Sequence, residues 1–178
     1  MQTALIETSD GAFTASFSFK GLARLSFPGD PRDLSSAEKR PPAICSAWHD
    51  LTSQAIHKIL EGKPIDEMPP LDISAGTNFQ QRVWKAMGRI RTGHTMSYGE
   101  IAEQIGAPKA VRAVGGACGA NPIPLLIPCH RVLAANRRLG GFSGGLSWKI
   151  LLLEREKIAW RSPTPKAKPN ALHSSATL

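Results

Sequence analysis

The sequence predicts an α+β protein built from two parts, and three observations lead to that prediction. Apolar and polar residues alternate near the N-terminus, as in a β-strand, whereas later segments repeat apolar residues at helical spacing. Between these regions, residues 63–76 contain three prolines and Gly76, a composition typical of a linker. Basic residues are concentrated beyond that segment. We therefore expect one domain over residues 1–75, a second over 76–160, and a disordered tail over 161–178.

The N-terminal strands are predicted from the alternation over residues 13–19. The odd positions are apolar and the even ones are threonine or serine, so that one face of the strand is apolar: Phe13, Ala15, Phe17 and Phe19. Turn signals lie on both sides, Asp10-Gly11 before the strand and Lys20-Gly21 after it. The short apolar run Leu22 to Phe27 can then pair with it as a hairpin. Residues 30–42 are polar and proline-rich, and we expect a surface loop there.

Helices are predicted at five places. The first spans residues 46–61 and ends at Gly62 and Pro64, with an apolar face that comprises Trp48, Leu51, Ala55, Ile59 and Leu60. Two capping boxes, Thr77-x-x-Gln80 and Ser97-x-x-Glu100, each open a helix. A fourth helix is expected over residues 109–120, with an inward stripe of Val111, Val114 and Cys118. The last is expected over residues 147–157.

The helices around Gly106-Ala107-Pro108 resemble a helix-turn-helix, in which the second helix enters a DNA groove. That second helix contains Gly115, Gly116 and Gly119, each of which costs about 1 kcal/mol of helix propensity relative to alanine. Glycines permit close approach of another backbone. Packing against the rest of the protein explains them slightly more simply, whereas the adjacent Arg112 and the basic charge favour a DNA groove wall.

Charge and cysteine content narrow the class of protein. Residues 1–75 carry seven Lys/Arg against ten Asp/Glu, whereas residues 76–160 carry twelve against four. Such asymmetry favours a nucleic-acid partner, although a solvated basic surface explains it equally well. No run of eighteen apolar residues and no secretory signal is present, so we expect a cytoplasmic protein that does not enter a membrane. The three cysteines are odd in number and widely spaced, which disfavours a disulfide framework.

The strongest chemical signal is Ile127-Pro128-Cys129-His130-Arg131-Val132. A cysteine attacks as the thiolate, and a neighbouring histidine or arginine can lower its pKa or accept its proton. Pro128 makes a regular strand unfavourable, so a bend or a bridging water would have to connect Cys129 to His130. A Cys-His pair alone is usually accidental. The run Gly140–Gly145 can present backbone N–H groups to a ligand or serve as a plain connection, and it does not match a P-loop.

Taken in order, five motifs resemble one family. They are Ser97-Tyr98, Arg112-Ala113-Val114-Gly115-Gly116-Ala117, Asn121-Pro122, Pro128-Cys129-His130-Arg131-Val132 and Ser143-Gly144-Gly145-Leu146. This chain resembles the O6-alkylguanine-DNA alkyltransferases, also called methylated-DNA–protein-cysteine methyltransferases. The resemblance covers about residues 77–157, and residues 1–75 match only in layout.

The resemblance implies an N-terminal α/β domain like ribonuclease H and a C-terminal winged helix-turn-helix-like domain. It implies a stand-alone monomer without cofactor, found in the cytoplasm or on the nucleoid, that repairs double-stranded DNA carrying O6-alkylguanine; O4-alkylthymine is a further candidate substrate. The family binds the minor groove and flips the damaged nucleotide out of the duplex. Arg112 matches the arginine finger that fills the vacated stack, and Ala113, Gly115 and Gly116 match the close contact between helix and groove.

The resemblance also implies roles for the site residues. Cys129 matches the nucleophile that keeps the alkyl group, His130 the base that acts through a water, and Glu156 the acid that orients the histidine. Glu154 competes for that last role, but Glu156 has the family spacing to Cys129. The remaining matched residues hold the active-site turn or contact the guanine base. Asn121 holds the turn, the Tyr98 hydroxyl donates to guanine N3, the Ser143 N–H binds guanine O6 beside Gly144, and the carbonyls of Cys129 and Val132 accept the guanine amino group.

Several features depart from the family pattern or leave other interpretations open. Phe142 stands where some members carry tyrosine, and Cys118 is either a second reactive thiol or a small packed residue. Some members bind structural zinc, but the order of Cys45, His49 and His57 does not match, and we expect no metal. Two rival functions remain: a DNA-binding module without chemistry, against which Cys129 argues, and a Cys-His hydrolase that turns over an acyl substrate.

Overall fold

A computed structural model describes residues 1–30 and 46–162. Its N-terminal part is a three-stranded antiparallel sheet in the order β1-β2-β3, with β1 at Gln2–Thr8, β2 at Gly11–Ser18 and β3 at Gly21–Ser26. The predicted hairpin of β2 and β3 is confirmed. The sequence analysis missed β1, which pairs with β2 along its whole length.

One face of β2 forms the centre of the N-terminal core. Phe13, Ala15 and Phe17 are at most 1% exposed, as the alternation predicts. The placement of Phe19 on the same face was wrong, because Phe19 is 87% exposed. It follows the last residue of β2, in the turn that leads to β3, where the alternation of a pleated strand no longer applies.

Helix α1, Ser46–Leu60, is confirmed and contacts β1 and β3. Its predicted inward face is confirmed at Ala55, Ile59 and Leu60, which are buried. Thr52 and Ile56 are also fully buried, whereas Trp48 and Leu51 are only partly so. The proline-rich segment 63–76 runs along β3. Leu22 N donates to Pro70 O at 2.8 Å, and Asp72 N donates to Leu22 O at 2.7 Å. The segment that we predict as a linker is therefore hydrogen-bonded to the sheet.

Four helices follow, α2 at Asn78–Met87, α3 at Tyr98–Gln104, α4 at Val111–Gly119 and α5 at Leu146–Arg155. Both predicted capping boxes are present, at Thr77 with Gln80 and at Ser97 with Glu100. Helices α2, α3 and α4 pack against one another. Two short parallel strands, β4 at Met96–Ser97 and β5 at Val132–Leu133, join the start of α3 to the chain beyond Cys129.

The inward stripe of α4 is confirmed in part. Val114 is fully buried and Cys118 is 6% exposed, but Val111 is 40% exposed, so its assignment to the stripe was wrong. Val111 is the first residue of α4 and borders a cavity together with Arg112. Spacing alone does not show how far the core extends along a helix.

The N-terminal sheet and α5 share one core. The Trp148 ring lies 5.5 Å from that of Phe13 and 4.9 Å from that of Phe27, measured between centroids. At the surface, the guanidinium of Arg155 donates to both carboxylate oxygens of Asp10 at 2.8 Å. These contacts place α5, and the loop that precedes it, relative to the sheet.

Some expectations concern residues that the structure does not describe. Most of the predicted surface loop at 30–42, the side chain of Cys45, and nearly all of the predicted tail at 161–178 lie outside the described residues. The prediction that no zinc is bound therefore stays a prediction. Within residues 1–30 and 46–162, none of the helices has the length and apolar character needed to span a bilayer.

Candidate active site

The turn that carries Cys129 is held by Asn121. The Asn121 side-chain amide donates to Ile127 O at 2.8 Å, and its oxygen accepts from Ile123 N at 3.1 Å. Residues Cys129–Arg131 then form a 3-10 turn, in agreement with the prediction that Pro128 prevents a regular strand. The buried side chain of Asn121 thus holds together the two ends of segment 123–127, which leads to Cys129.

The Cys129 side chain borders a cavity of about 530 Å³, although the residue is only 5% exposed. The walls come from three segments that are distant in sequence. They are the start of α3, one face of α4 and the loop before α5, and their side chains include Tyr98, Arg112, Gly115, Cys118, Phe142 and Ser143. The volume lies in the range of roughly 300–1,000 Å³ that is usual for small-molecule sites.

Tyr98 is the first residue of α3 and stands half-buried in the cavity wall. Burial raises the pKa of its hydroxyl, and the nearby Cys118 and Cys129 raise it further, so the group remains a hydrogen-bond donor at neutral pH. Gly140, with φ of +66°, lies against this hydroxyl, and a Cβ at that position would stand 2.8 Å from the oxygen. Only glycine leaves room for Tyr98 here, a role that the sequence analysis missed within its glycine-rich run.

His130 and Glu156 form a buried pair. The His130 Nε2–H donates to Glu156 Oε1 at 2.9 Å, and Nδ1 has no hydrogen-bond partner among the described residues. Burial lowers the pKa of His130 although Glu156 raises it, so the ring is neutral. A neutral ring that donates from Nε2 keeps its lone pair on Nδ1, where it can accept a proton.

The Glu156 carboxylate also binds Arg131. The sequence analysis considered Arg131 only as a neighbour of Cys129 in its motif. Arg131 Nε donates to Glu156 Oε2 at 3.0 Å and Nη2 donates to Oε1 at 2.9 Å, while Gly93 N donates to Oε2 at 3.0 Å. Burial raises the pKa of Glu156, but the hydrogen bonds from His130 and Arg131, together with the charge of Arg131, outweigh it and lower that pKa to about 2. Glu154, the competing candidate, is exposed.

The two described cysteines lie in different surroundings. Burial raises the pKa of Cys129, and the Asn121 side chain, the Lys149 ammonium and backbone N–H groups lower it. Cys118 packs with its sulfur 3.4 Å from that of Met87, and burial raises its pKa to about 12. Burial favours the thiol form of Cys118, and its contact with Met87 agrees with a small packed residue.

Other predicted residues lie around or beside the cavity. Val132 is fully buried, and its carbonyl already accepts from Lys149 Nζ at 2.7 Å. Gly144 lies under the Phe27 ring, where a Cβ would stand 2.5 Å from a ring carbon. Ala113 and Gly116 lie on the exposed outer face of α4 and do not line the cavity.

Lys149 was missed by the sequence analysis. It is fully buried in α5, between Trp148 and a run of apolar residues. The signal was present, since Lys149, Leu152 and Leu153 follow the i, i+3, i+4 spacing of a buried face. Charged residues are so seldom buried that the spacing alone was not enough to assign it.

The α4 glycines do not serve internal packing. A Cβ built at Gly115, Gly116 or Gly119 meets no atom within 4 Å in the described part of the chain beyond the helix itself and the neighbouring residues. Within residues 1–30 and 46–162, no segment approaches these glycines closely enough to support the packing interpretation. Their lack of side chains leaves an open surface beside Arg112.

Together these features define a class: a protein with a buried cysteine at a cavity bordered by α3 and α4, next in sequence to a buried His-Glu pair. Residues 78–158 match a family model described as 6-O-methylguanine DNA methyltransferase, DNA binding domain. The inducible methylated-DNA–protein-cysteine methyltransferase of Bacillus subtilis is 40% identical over 162 residues, which cover 88% of this chain and 90% of that protein. The chain belongs to the methylated-DNA–protein-cysteine methyltransferase family.

Two mycobacterial comparisons agree with this assignment. The Mycobacterium tuberculosis methylated-DNA–protein-cysteine methyltransferase is 61% identical over 82 residues, so the matched region spans 46% of this chain and 50% of that relative. The crystal structure of Mycobacterium tuberculosis OGT in complex with DNA has a TM-score of 0.75 and 37% identity, and the match covers 88% of this chain and 93% of that one. The mixed helix-and-sheet fold is thereby confirmed; the ribonuclease H-like and winged-helix descriptions stay predictions.

Proposed function

We propose that this protein repairs alkylated DNA by transferring the alkyl group of O6-alkylguanine to Cys129 in a single, irreversible event. The observation that supports this most directly is that Cys129 lines a base-sized cavity and is followed in the chain by His130, which is paired with Glu156. The relatives are methylated-DNA–protein-cysteine methyltransferases, and the similar mycobacterial structure contains DNA, which agrees with DNA as the partner.

The residues suggest how the transfer proceeds. His130 Nδ1 takes the Cys129 proton through a water, while Glu156 holds the ring through Nε2–H. The thiolate attacks the alkyl carbon, the bond from that carbon to guanine O6 breaks, and the departing guanine takes up one proton. Thiol and O6-alkylguanine thus become thioether and guanine. Donors aimed at the leaving base, the Tyr98 hydroxyl at N3 and the Ser143 N–H at O6, stabilise its developing charge.

The surface of α4 supports binding of a duplex. Its glycines leave space for a groove wall, and Arg112 is exposed next to them at the mouth of the cavity. We propose that Arg112 fills the stack when the damaged nucleotide turns into the cavity. Flipping costs a few kcal/mol, least for a weakly paired damaged base. Backbone carbonyls at Cys129 and Val132 would receive the guanine amino group.

The assignment of Arg112 predicts a difference between two substrates. Arg112→Ala is expected to slow repair of duplex DNA at least about tenfold and to leave the reaction with free O6-benzylguanine much less affected, since the free base needs no flipping. Single-turnover rates on both substrates provide the measurement. Equal losses on the two would contradict a role in extruding the base.

The function itself is tested by intact mass after mixing with O6-methylguanine DNA. We expect every protein molecule to gain one methyl group, mapped by peptide mass to Cys129, and Cys129→Ala to gain none while still binding DNA. An unchanged wild-type mass would favour a DNA-binding module without chemistry. More than one equivalent of DNA consumed per protein would indicate a hydrolase that turns over.

A further inference from the structure

A fully buried lysine is hydrogen-bonded to the end of the turn that carries Cys129. Lys149 Nζ donates to three backbone carbonyls, those of Val132 at 2.7 Å, Gly141 at 3.4 Å and Leu139. An ammonium removed from water costs several kcal/mol unless its hydrogen bonds are satisfied and its charge is compensated. The three carbonyls satisfy its three N–H groups, but they do not neutralise its charge.

The carbonyls belong to two different walls of the site. Val132 N donates back to Cys129 O, so Val132 ends the 3-10 turn that carries the nucleophile. Leu139 and Gly141 belong to the loop on which Ser143 and the glycine against Tyr98 also lie. One side chain therefore joins the turn of the cysteine to the loop over the cavity.

The ammonium has no carboxylate partner among the residues that the structure describes. The buried Glu156 is occupied by His130 and Arg131. The titratable groups that interact with Lys149 are the thiols of Cys129 and Cys118 and the His130 ring, each neutral in its ordinary form. Of these, only Cys129 becomes an anion in the reaction.

The electrostatics of the two groups agree with this geometry. Burial lowers the pKa of Lys149 to about 8, and the cysteines act in the opposite direction. Burial raises the pKa of Cys129, and the Lys149 ammonium lowers it. The Lys149 ammonium and the Cys129 thiolate therefore each lower the free-energy cost of burying the other's charge.

We propose that Lys149 is a positioning residue for alkyl transfer, which ties the cavity loop to the turn of Cys129 and provides the counter-ion of the Cys129 thiolate. This inference rests on the proposed role of Cys129 as the alkyl acceptor. It has a consequence for the reacted protein, since a thioether is neutral and leaves the buried ammonium uncompensated.

The first test uses the wild-type chain and no variant. Lysine side-chain NMR follows the titration of Lys149 before and after iodoacetamide converts Cys129 to a neutral thioether. Because two coupled groups titrate as a pair, loss of the anionic partner should move the Lys149 titration to lower pH by about one unit. An unchanged titration would refute the counter-ion role.

The second test uses variants and the pH dependence of Cys129 labelling, quantified by peptide mass. Lys149→Met should raise the midpoint of that profile and slow labelling at neutral pH about tenfold, and Lys149→Arg should recover part of the loss. The exposed Lys63→Met serves as the matched control. A Lys149→Met profile with the wild-type midpoint would overturn the proposal. Since neither assay contains DNA, failed repair with a shifted profile would count against the proposed function alone.

Discussion

At the scale of single residues, Glu156 combines two tasks. Its carboxylate orients the neutral His130 ring and also compensates the buried guanidinium of Arg131, whose Nη1 donates to Ile90 O at 2.6 Å. Arg131 thereby connects the segment that follows α2 to the turn that carries Cys129. Removal of the carboxylate charge would leave that guanidinium buried without an anion.

Glu156→Gln is therefore expected to destabilise the fold by about 3–5 kcal/mol, the usual cost of breaking a buried ion pair from one side. Urea unfolding measures the change. Glu154→Gln, two residues away and exposed, is the matched control and should lie within about 0.5 kcal/mol of wild type. Similar losses in both variants would contradict the buried-pair assignment.

The same carboxylate predicts a pH dependence of stability. Its pKa is lowered from 4.5 to about 2, so its contribution is complete above pH 4.5 and is lost as the pH falls toward 2. His130, whose pKa is also lowered, adds a loss that begins below about pH 6.5. The free energy of unfolding, measured from pH 7 to pH 2, should fall through both windows. In Glu156→Gln the fall below pH 4.5 should be smaller.

At the scale of elements, helix α4 has a composition of low helix propensity, and its glycine-containing face is open. Its glycines lower helix propensity, yet the described part of the chain places no atom where their side chains would be. In the free protein, such a helix is less stable than the same helix would be with alanine at the glycine positions. The DNA groove contact proposed for this surface would account for the difference.

Gly116→Ala is expected to stabilise the free protein by about 0.5–1 kcal/mol, because it raises helix propensity and meets no clash. The same change should weaken DNA binding, because its methyl group stands on the exposed face. Thermal unfolding and binding titrations at one salt concentration measure the two effects. Gln54→Ala, on the exposed face of α1, is the control and should leave DNA binding unchanged. Tighter or equal binding by Gly116→Ala would contradict the groove contact.

At the scale of the whole molecule, the N-terminal sheet supports the candidate site from a distance. Phe27 contacts Trp148 of α5 and also Phe142 of the cavity loop, whose ring centroid is 5.7 Å away. The pair Asp10 and Arg155 adds a second connection at the surface. Stability of the sheet is therefore coupled to the position of the loop over Cys129.

Phe13→Ala is expected to cost about 3–5 kcal/mol, since the side chain is fully buried against Phe27 and Trp148. Denaturant unfolding, followed in parallel by tryptophan fluorescence and circular dichroism, measures the loss. Phe19→Ala removes the same side chain from a position that is 87% exposed, and it should change stability by no more than about 0.5 kcal/mol. A comparable loss of unfolding free energy in both variants would show that burial in the shared core does not determine the stability.

Much of the fold was predictable because its signals are local. The two capping boxes, the β2–β3 hairpin and the turn after Pro128 depend on residues within a few positions of one another. The errors came where position in the whole molecule mattered. Phe19 and Val111 have the right spacing for a buried face, but they lie at the ends of their elements, beyond the core.

The sequence by itself determined the family, the segment that carries Cys129, and the helix that carries Arg112, because each depends on a short ordered motif. Only the tertiary structure decided which groups share a low-dielectric space. The burial of Lys149, the junction of Arg131 with Glu156, and the fit of Gly140 against Tyr98 each join segments separated by many residues. Burial and charge compensation depend on distance in space, and periodicity along the chain does not encode that distance.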